Sequence, residues 1–288
     1  MRTYGSLTLL LVLVFTSLAP AQSALQTKVY TSSPEGISVT STLIHGDKDA
    51  ILVDPQFLLS EAHRVAAMVL ESRKNLIAVY STHAHPDHYF GVAVMRQAFP
   101  NTQLVALPAV VAGIKNGWEG RYTFWSATYG NNLPANGPIL PDELQTTSFM
   151  LEGQQLEPVG GVQGDGPNNS FVWIPSIRTV IAGDIVFSGV HFGVPSGNNR
   201  AEWLKTLDQI AALKPAVVIP GHQVPGAKND LSAIAFMKKY MQDWDRAVAA
   251  SKNADDLKAA MKKIYPALGM ENLLNNGATA AFQPARGR

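Results

Sequence analysis

No cysteine occurs in the 288 residues. That absence excludes disulfides, thiolate metal ligands and a lipid-bearing N-terminal cysteine. The fold must therefore be held by its core, and any bound metal by nitrogen and oxygen donors. Unbalanced charge is lacking too, since 23 Lys and Arg against 22 Asp and Glu leave a formal net charge of +1. There is no basic surplus of the kind a nucleic-acid partner requires, which points to a small-molecule substrate. Neither a fixed-period repeat nor a low-complexity linker marks a domain boundary.

The longest apolar run, from about Leu7 to Leu18, follows Arg2 and precedes Ala19-Pro20-Ala21. It is shorter than the roughly 20 residues of a spanning helix. The pattern is that of a secretory signal peptide over 1–21, cleaved after Ala21. The expectation is a periplasmic or secreted protein, free of the membrane after cleavage, with a single domain over 22–288. A mature chain of that length can bury a sufficient core without disulfides.

Short runs rich in Val, Ile, Thr and Leu, such as "ISVTSTLIHG" and "AILVDP", read as strands joined by tight turns. "LLSEAHRVAAMVLESRK" has apolar residues at helical spacing, with Ser60 as N-cap. A second helical stretch starts near Ala109, and the Gly- and Pro-containing, aromatic-rich segment from Gly117 to Pro141 reads as less regular. Strands return around "TTSFML", "LEPVGGV", "SFVWIP" and "TVIAGD", and then "NRAEWLKTLDQIAAL" reads as a helix. "AVVIPG" reads as a strand and the segment after it as a long amphipathic helix with one short helix behind. Two successive strand–helix halves suggest an α/β fold, an αββα sandwich of two mixed β-sheets flanked by helices.

"STHAHPDHYFG" ends the buried strand "LIAVYST" and gathers three of the seven histidines, His83, His85 and His88, together with Asp87. Two imidazoles at i, i+2 on an extended loop can converge on one cation, and the Asp-His pair behind them can face another. The motif H-x-H-x-D-H resembles that of the metallo-β-lactamase superfamily. Further matches follow in that family's order: "VDP" with Asp54, "AGD" with Asp184, and "PGH" with His222. The likeness runs from about Val29 to about Met241 and implies the αββα fold with a dinuclear metal site between its halves. It implies that His83 and His85 hold one metal, that Asp87, His88 and His222 hold the other, and that Asp184 bridges them. Asp54 would orient a ligand from behind.

One position departs from the pattern. Where the family has a histidine for the first metal, this chain has "GDGPNNS", with Asp165 at that place and no histidine between His88 and His191. Three readings stay open: Asp165 is a carboxylate ligand, it is an Asp-Gly turn residue beside a weakened first site, or His191 supplies the missing imidazole. As a ligand it would bring two divalent cations, Asp87, Asp184 and a bridging hydroxide to neutrality, and would make manganese or iron more competitive with zinc.

The resemblance implies a hydrolase that cleaves an ester, lactone or thioester with a metal-bound hydroxide, using two divalent ions, zinc first and manganese or iron as alternatives. Asp87 or Asp184 would carry a proton to the leaving group. Asp184 with His222 looks more like the glyoxalase-II-type thioesterases and the lactonases than like the β-lactamases, so β-lactam hydrolysis is a lesser expectation. Phe187 also stands where some β-lactamases place a lysine. An iron-dependent oxidoreductase on the same ligands and a metal-depleted binding protein remain alternatives. Tyr89, Trp118 and His191 are candidate substrate contacts, and the aromatic segment is a candidate wall for an apolar acyl group.

Overall fold

The structure is a computed structural model that describes residues 23–194 and 197–283. The signal-peptide expectation over 1–21 lies outside the described residues. Among the described residues no helix is long and apolar enough to cross a membrane.

The first half of the chain runs β1 (Gln26–Thr31), β2 (Thr40–His45), β3 (Asp49–Val53), α1 (Leu59–Ser72), β4 (Asn75–Ser81), α2 (Val92–Ala98), β5 (Gln103–Ala106), α3 (Pro108–Tyr129) and β6 (Asp142–Glu143). Its strands form one sheet in the order β1-β2-β3-β4-β5-β6, antiparallel at the β1–β3 end and parallel from β3 onward. The second half runs β7 (Phe149–Leu151), β8 (Gln154–Val162), β9 (Asn169–Ile174), β10 (Thr179–Ile181), β11 (Phe187–Ser188), α4 (Gly197–Ala212), β12 (Val217–Ile219), β13 (His222–Gln223), α5 (Ser232–Ala250), α6 (Ala254–Ile264) and α7 (Glu271–Ala281). Here the sheet order is β12-β10-β9-β8-β7, with β11 and β13 paired separately.

Strand alternation sorts the apolar side chains into three layers. Along β3, Ala50 and Leu52 face α1 and α2, whereas Ile51 and Val53 face the other sheet. In the second sheet Phe171 and Val180 point toward α4 and α5, while Val172 and Ile181 meet Ile51 and Val53 between the sheets. This period of two, buried on both faces, builds the αββα sandwich expected from the sequence. Each fully buried Val, Leu, Ile or Phe contributes about 1.5–3 kcal/mol. The two sheets are also tied at one edge: the Glu152 carboxylate, in the β7–β8 turn, accepts the backbone N–H groups of Asp47, Lys48 and Asp49 in the β2–β3 turn.

Three local expectations are corrected. From Gly117 to Tyr129 the segment continues as helix, because Trp118, Tyr122, Trp125 and Tyr129 form a stripe at helical spacing that packs on the first core, outweighing the roughly 1 kcal/mol that each helical glycine costs; only the part beyond it is irregular, as expected. Ser60 lies inside α1 and does not cap it; the cap comes from Asn132, whose Oδ1 accepts the Ser60 N–H at 2.9 Å. Behind the long helix α5 stand two helices, α6 and α7, where the sequence suggested one.

Candidate metal centre

The loop between β4 and α2 carries His83, His85, Asp87 and His88, and its backbone is fixed from the second sheet and from α3. The Ser170 N–H and hydroxyl, on β9, both donate to the Thr82 carbonyl, at 3.1 and 2.5 Å. The guanidinium of Arg121 on α3 donates to the Ala84 carbonyl between the first two histidines. Asp184 lies in a tight turn after β10, where Gly183 takes a positive φ of 51°. His222 opens β13 and is held by a bridge to Val39, with the Phe187 ring stacked on it at 5.2 Å. Asp165 is anchored through its backbone, its N–H donating to the Asp184 carbonyl at 3.0 Å.

These loops converge on two groups of donor atoms, each within 4.8 Å: His83, His85, Asp165 and Asp184, and Asp87, His88, Asp184 and His222. Asp184 belongs to both. Its Oδ1 stands 3.1 Å from His88 Nε2 and 3.2 Å from His222 Nε2. Its Oδ2 lies 3.5 Å from His83 Nε2 and 3.9 Å from His85 Nδ1. Asp87 Oδ2 approaches His88 Nε2 at 3.3 Å and His222 Nε2 at 3.2 Å, and Asp165 Oδ2 approaches His85 Nδ1 at 3.0 Å.

The donor set fits divalent cations on two observations. The first is tautomeric. His88 Nδ1 bonds to Asp54 Oδ2 at 2.8 Å, His222 Nδ1 to the Ile37 carbonyl at 2.7 Å, and His83 Nδ1 to the Thr82 hydroxyl at 3.0 Å. That hydroxyl in turn donates to Asp54 Oδ2 at 2.8 Å. The Asp54 and Ile37 oxygens can only accept, as can a hydroxyl whose proton is already given to Asp54, so the three Nδ1 atoms carry the protons and the three Nε2 lone pairs turn inward. The second is that His83 Nε2 and Asp184 Oδ1 are buried with no hydrogen-bond partner among the described residues, an arrangement costly unless a cation sits against each of them.

The charge distribution agrees. Burial pushes Asp87 and Asp184 toward protonation, but the imidazoles beside them hold both well below the usual carboxylate range. Conversely, desolvation disfavours charge on His85 and His222, yet Asp165 beside the first and Asp184 beside the second push both up to about 10. Three carboxylates gathered among four imidazoles in the two donor groups favour positive charge at the centre.

The centre forms the floor of a cleft of about 890 Å³. One wall is Arg121 and Trp125 of α3, and the opposite wall includes Trp244 and Val248 of α5 with Leu273 and Ala280 of α7. Of the three candidate substrate contacts, none lines this cleft. Tyr89 is fully buried in the first core. Trp118 packs against Tyr122, two helical turns before the cleft-lining Trp125. His191 is buried in the second core with its Nδ1 2.9 Å from the Tyr240 hydroxyl, which leaves it no part in either donor group. Sequence reasoning missed Arg121 and the α5–α7 wall. The available signal for Arg121 was a cation four residues after a helical glycine; a Cβ at Gly117 would lie 3.1 Å from the guanidinium.

The family model described as the metallo-beta-lactamase superfamily matches residues 34–222. The fold is similar to a metallo-beta-lactamase family protein from Thermus thermophilus, at a TM-score of 0.63 and 17% identity, over 90% of this chain and 91% of that one. A beta-lactamase domain protein from Burkholderia ambifaria superposes at a TM-score of 0.64 and 16% identity, over 93% of this chain and 90% of that one. A segment of 71 residues, 24% of this chain, is 38% identical to the mitochondrial persulfide dioxygenase of Mus musculus and spans 27% of that protein's length. With a family match over most of the described chain and the sandwich fold around a His/Asp centre, the chain belongs to the metallo-beta-lactamase superfamily.

Proposed function

We propose that the protein is an exported hydrolase that uses two divalent metal ions, zinc first, to cleave a carboxylic ester, lactone or thioester. The observation that carries this reading is the Asp184 carboxylate, which belongs to both donor groups: Oδ1 stands against His88 and His222, and Oδ2 lies between His83 and His222, so one side chain joins two adjacent cation sites. His83, His85 and Asp165 would hold one ion, and Asp87, His88 and His222 the other. Such a pair supplies Lewis acidity at the carbonyl and acidifies a water at neutral pH.

The chain's own residues do the rest. Asp54 and the Ile37 carbonyl lock the imidazole tautomers, so the donor atoms need no rearrangement when substrate arrives. Asp87 is 8% exposed at the cleft floor and lies beside both His88 and His222, placing a carboxylate oxygen where it can take a proton and return it to a leaving group. Trp125 and the apolar opposite wall exclude water from one side of the reacting bond.

A second reading has its own support. The segment identical at 38% to a persulfide dioxygenase, together with oxygen-rich ligands that suit iron, favours an iron-dependent oxidoreductase on the same residues. Metal quantification on natively purified protein separates the two, coupled to turnover of a lactone, a thioester, an aryl ester, a β-lactam and a glutathione persulfide. Zinc or manganese with acyl hydrolysis supports the first reading. Iron with dioxygen consumption on the persulfide overturns it in favour of the second.

A further inference from the structure

The cleft is chemically two-sided. Its floor holds the polar centre, and its outer wall is built by α5 and α7, both beyond the segment that the family model matches. On this wall Trp244 and Val248 occupy one face of α5, four residues apart, and Leu273 and Ala280 lie seven apart on α7, which is two helical turns on the same face. The side chains of α7 that point the other way, Leu274 and Ala278, are fully buried in the second core, so the helix is anchored and turns the half-buried Leu273, with Asn276, Gly277 and Ala280, to the cleft. One amide, Asn276, interrupts this wall between Leu273 and Ala280, and further polar groups stand at the rim, where the guanidinium of Arg200 pairs with Asp245. A wall of Trp, Val, Leu, Gly and Ala, interrupted by the single amide of Asn276, matches an unbranched alkyl chain, whose methylenes gain from burial and ask for no hydrogen bond.

We propose that this α5–α7 wall binds the acyl chain of the substrate, so that the protein acts on esters, thioesters or lactones of medium-length alkanoic acids in preference to acetyl compounds. The proposal deepens the hydrolase reading and rests on it for the reaction, but not for the binding. Trp244 and Leu273 are the specificity-determining contacts, and Ala280 keeps the far end of the strip open. A chain lying here places its carbonyl carbon over the centre and its tail toward the rim.

Two measurements on the full chain test it. Calorimetric titration with hexanoate, octanoate and decanoate holds the carboxylate constant and varies only the tail. The dissociation constant should fall about two- to fourfold per added methylene, as expected for partial to full burial of each CH2. A dissociation constant independent of chain length overturns the proposal. In parallel, kcat/KM is compared for p-nitrophenyl acetate, butyrate and octanoate. The octanoate-to-acetate ratio should exceed ten in the wild type and fall at least fivefold in Ala280→Trp, which fills the strip from an exposed position, and in Leu273→Gln, which makes it polar. A ratio unchanged in both variants overturns the proposal. Chain-length-dependent binding of the alkanoates without hydrolysis of any ester overturns the hydrolase reading and leaves the acyl strip standing. Hydrolysis with a flat chain-length profile does the reverse.

Discussion

Substituting Gly221 by Ala should empty the metal centre without replacing a single ligand. Gly221 precedes His222, and its backbone passes so close to the Asp184 turn that a Cβ there would lie 2.3 Å from Asp184 Oδ1 and 2.5 Å from the Gly183 carbonyl carbon. Ordinary contact begins at 3.4 Å, so the Asp184 carboxylate must retreat by about 1 Å. The Gly183 backbone cannot give way easily, because the Gly221 N–H donates to the Gly183 carbonyl at 2.9 Å. Metal–ligand distances tolerate only about 0.2 Å, so a displacement of that size costs both donor groups their shared ligand. The overpacking itself costs about 1–3 kcal/mol, small enough for the chain to fold and to melt a few degrees lower. The assay is metal content by plasma mass spectrometry after dialysis, with a circular-dichroism melt as the folding control. A folded Gly221→Ala protein that retains the wild-type metal content would refute the assignment of Asp184 as the bridging ligand.

Further outcomes follow from the same geometry. Asp54→Asn should weaken metal binding about 10–100-fold with little change in fold, since one amide cannot accept from the Thr82 N–H, the Thr82 hydroxyl and His88 Nδ1 together; competition with a chromophoric chelator measures it. For acid stability the relevant group is Asp243 on α5. Burial raises its pKa, but hydrogen bonds from Lys239, Tyr265 and Arg246 win and hold it at about 2. A folded-state value below the ordinary one near 4 stabilises the fold above that pH and is lost as pH falls from about 4 to about 2. Thermal melts of Asp243→Asn should therefore lie below wild type at pH 7 and converge with it near pH 2; parallel curves across that range would contradict the role.

How much of this is legible in sequence depends on whether the signal is local. Strand alternation and the H-x-H-x-D-H cluster are local, and both the sandwich and the convergence of the first-half donors can be read from them. Asp184 and His222 are readable because each follows an apolar strand that ends at a glycine-containing turn. The sequence reading cuts α3 short at Gly117 because it weighs propensity without the aromatic stripe that overrides it. Ser60 reads as a cap because nothing nearby announces Asn132, 72 residues away. Tyr89 and His191 are candidate contacts by proximity along the chain, and Trp118 by membership of the aromatic segment, and all three pack into a core. The cleft's outer wall is out of reach for the same reason, since the amphipathic pattern of α7 does not say which of its faces another helix will cover.

The most direct test concerns Asp165, where this chain departs from the family's pattern. Its carboxylate lies 3.0 Å from His85 Nδ1 in the donor group that also holds His83 and Asp184. Metal content of Asp165→Ala, compared with the wild type after identical native purification and dialysis, should fall from about two ions per chain to about one, because only His83 and His85 remain as donors not shared with the second ion. An Asp165→Ala protein that keeps its full metal complement would contradict the account.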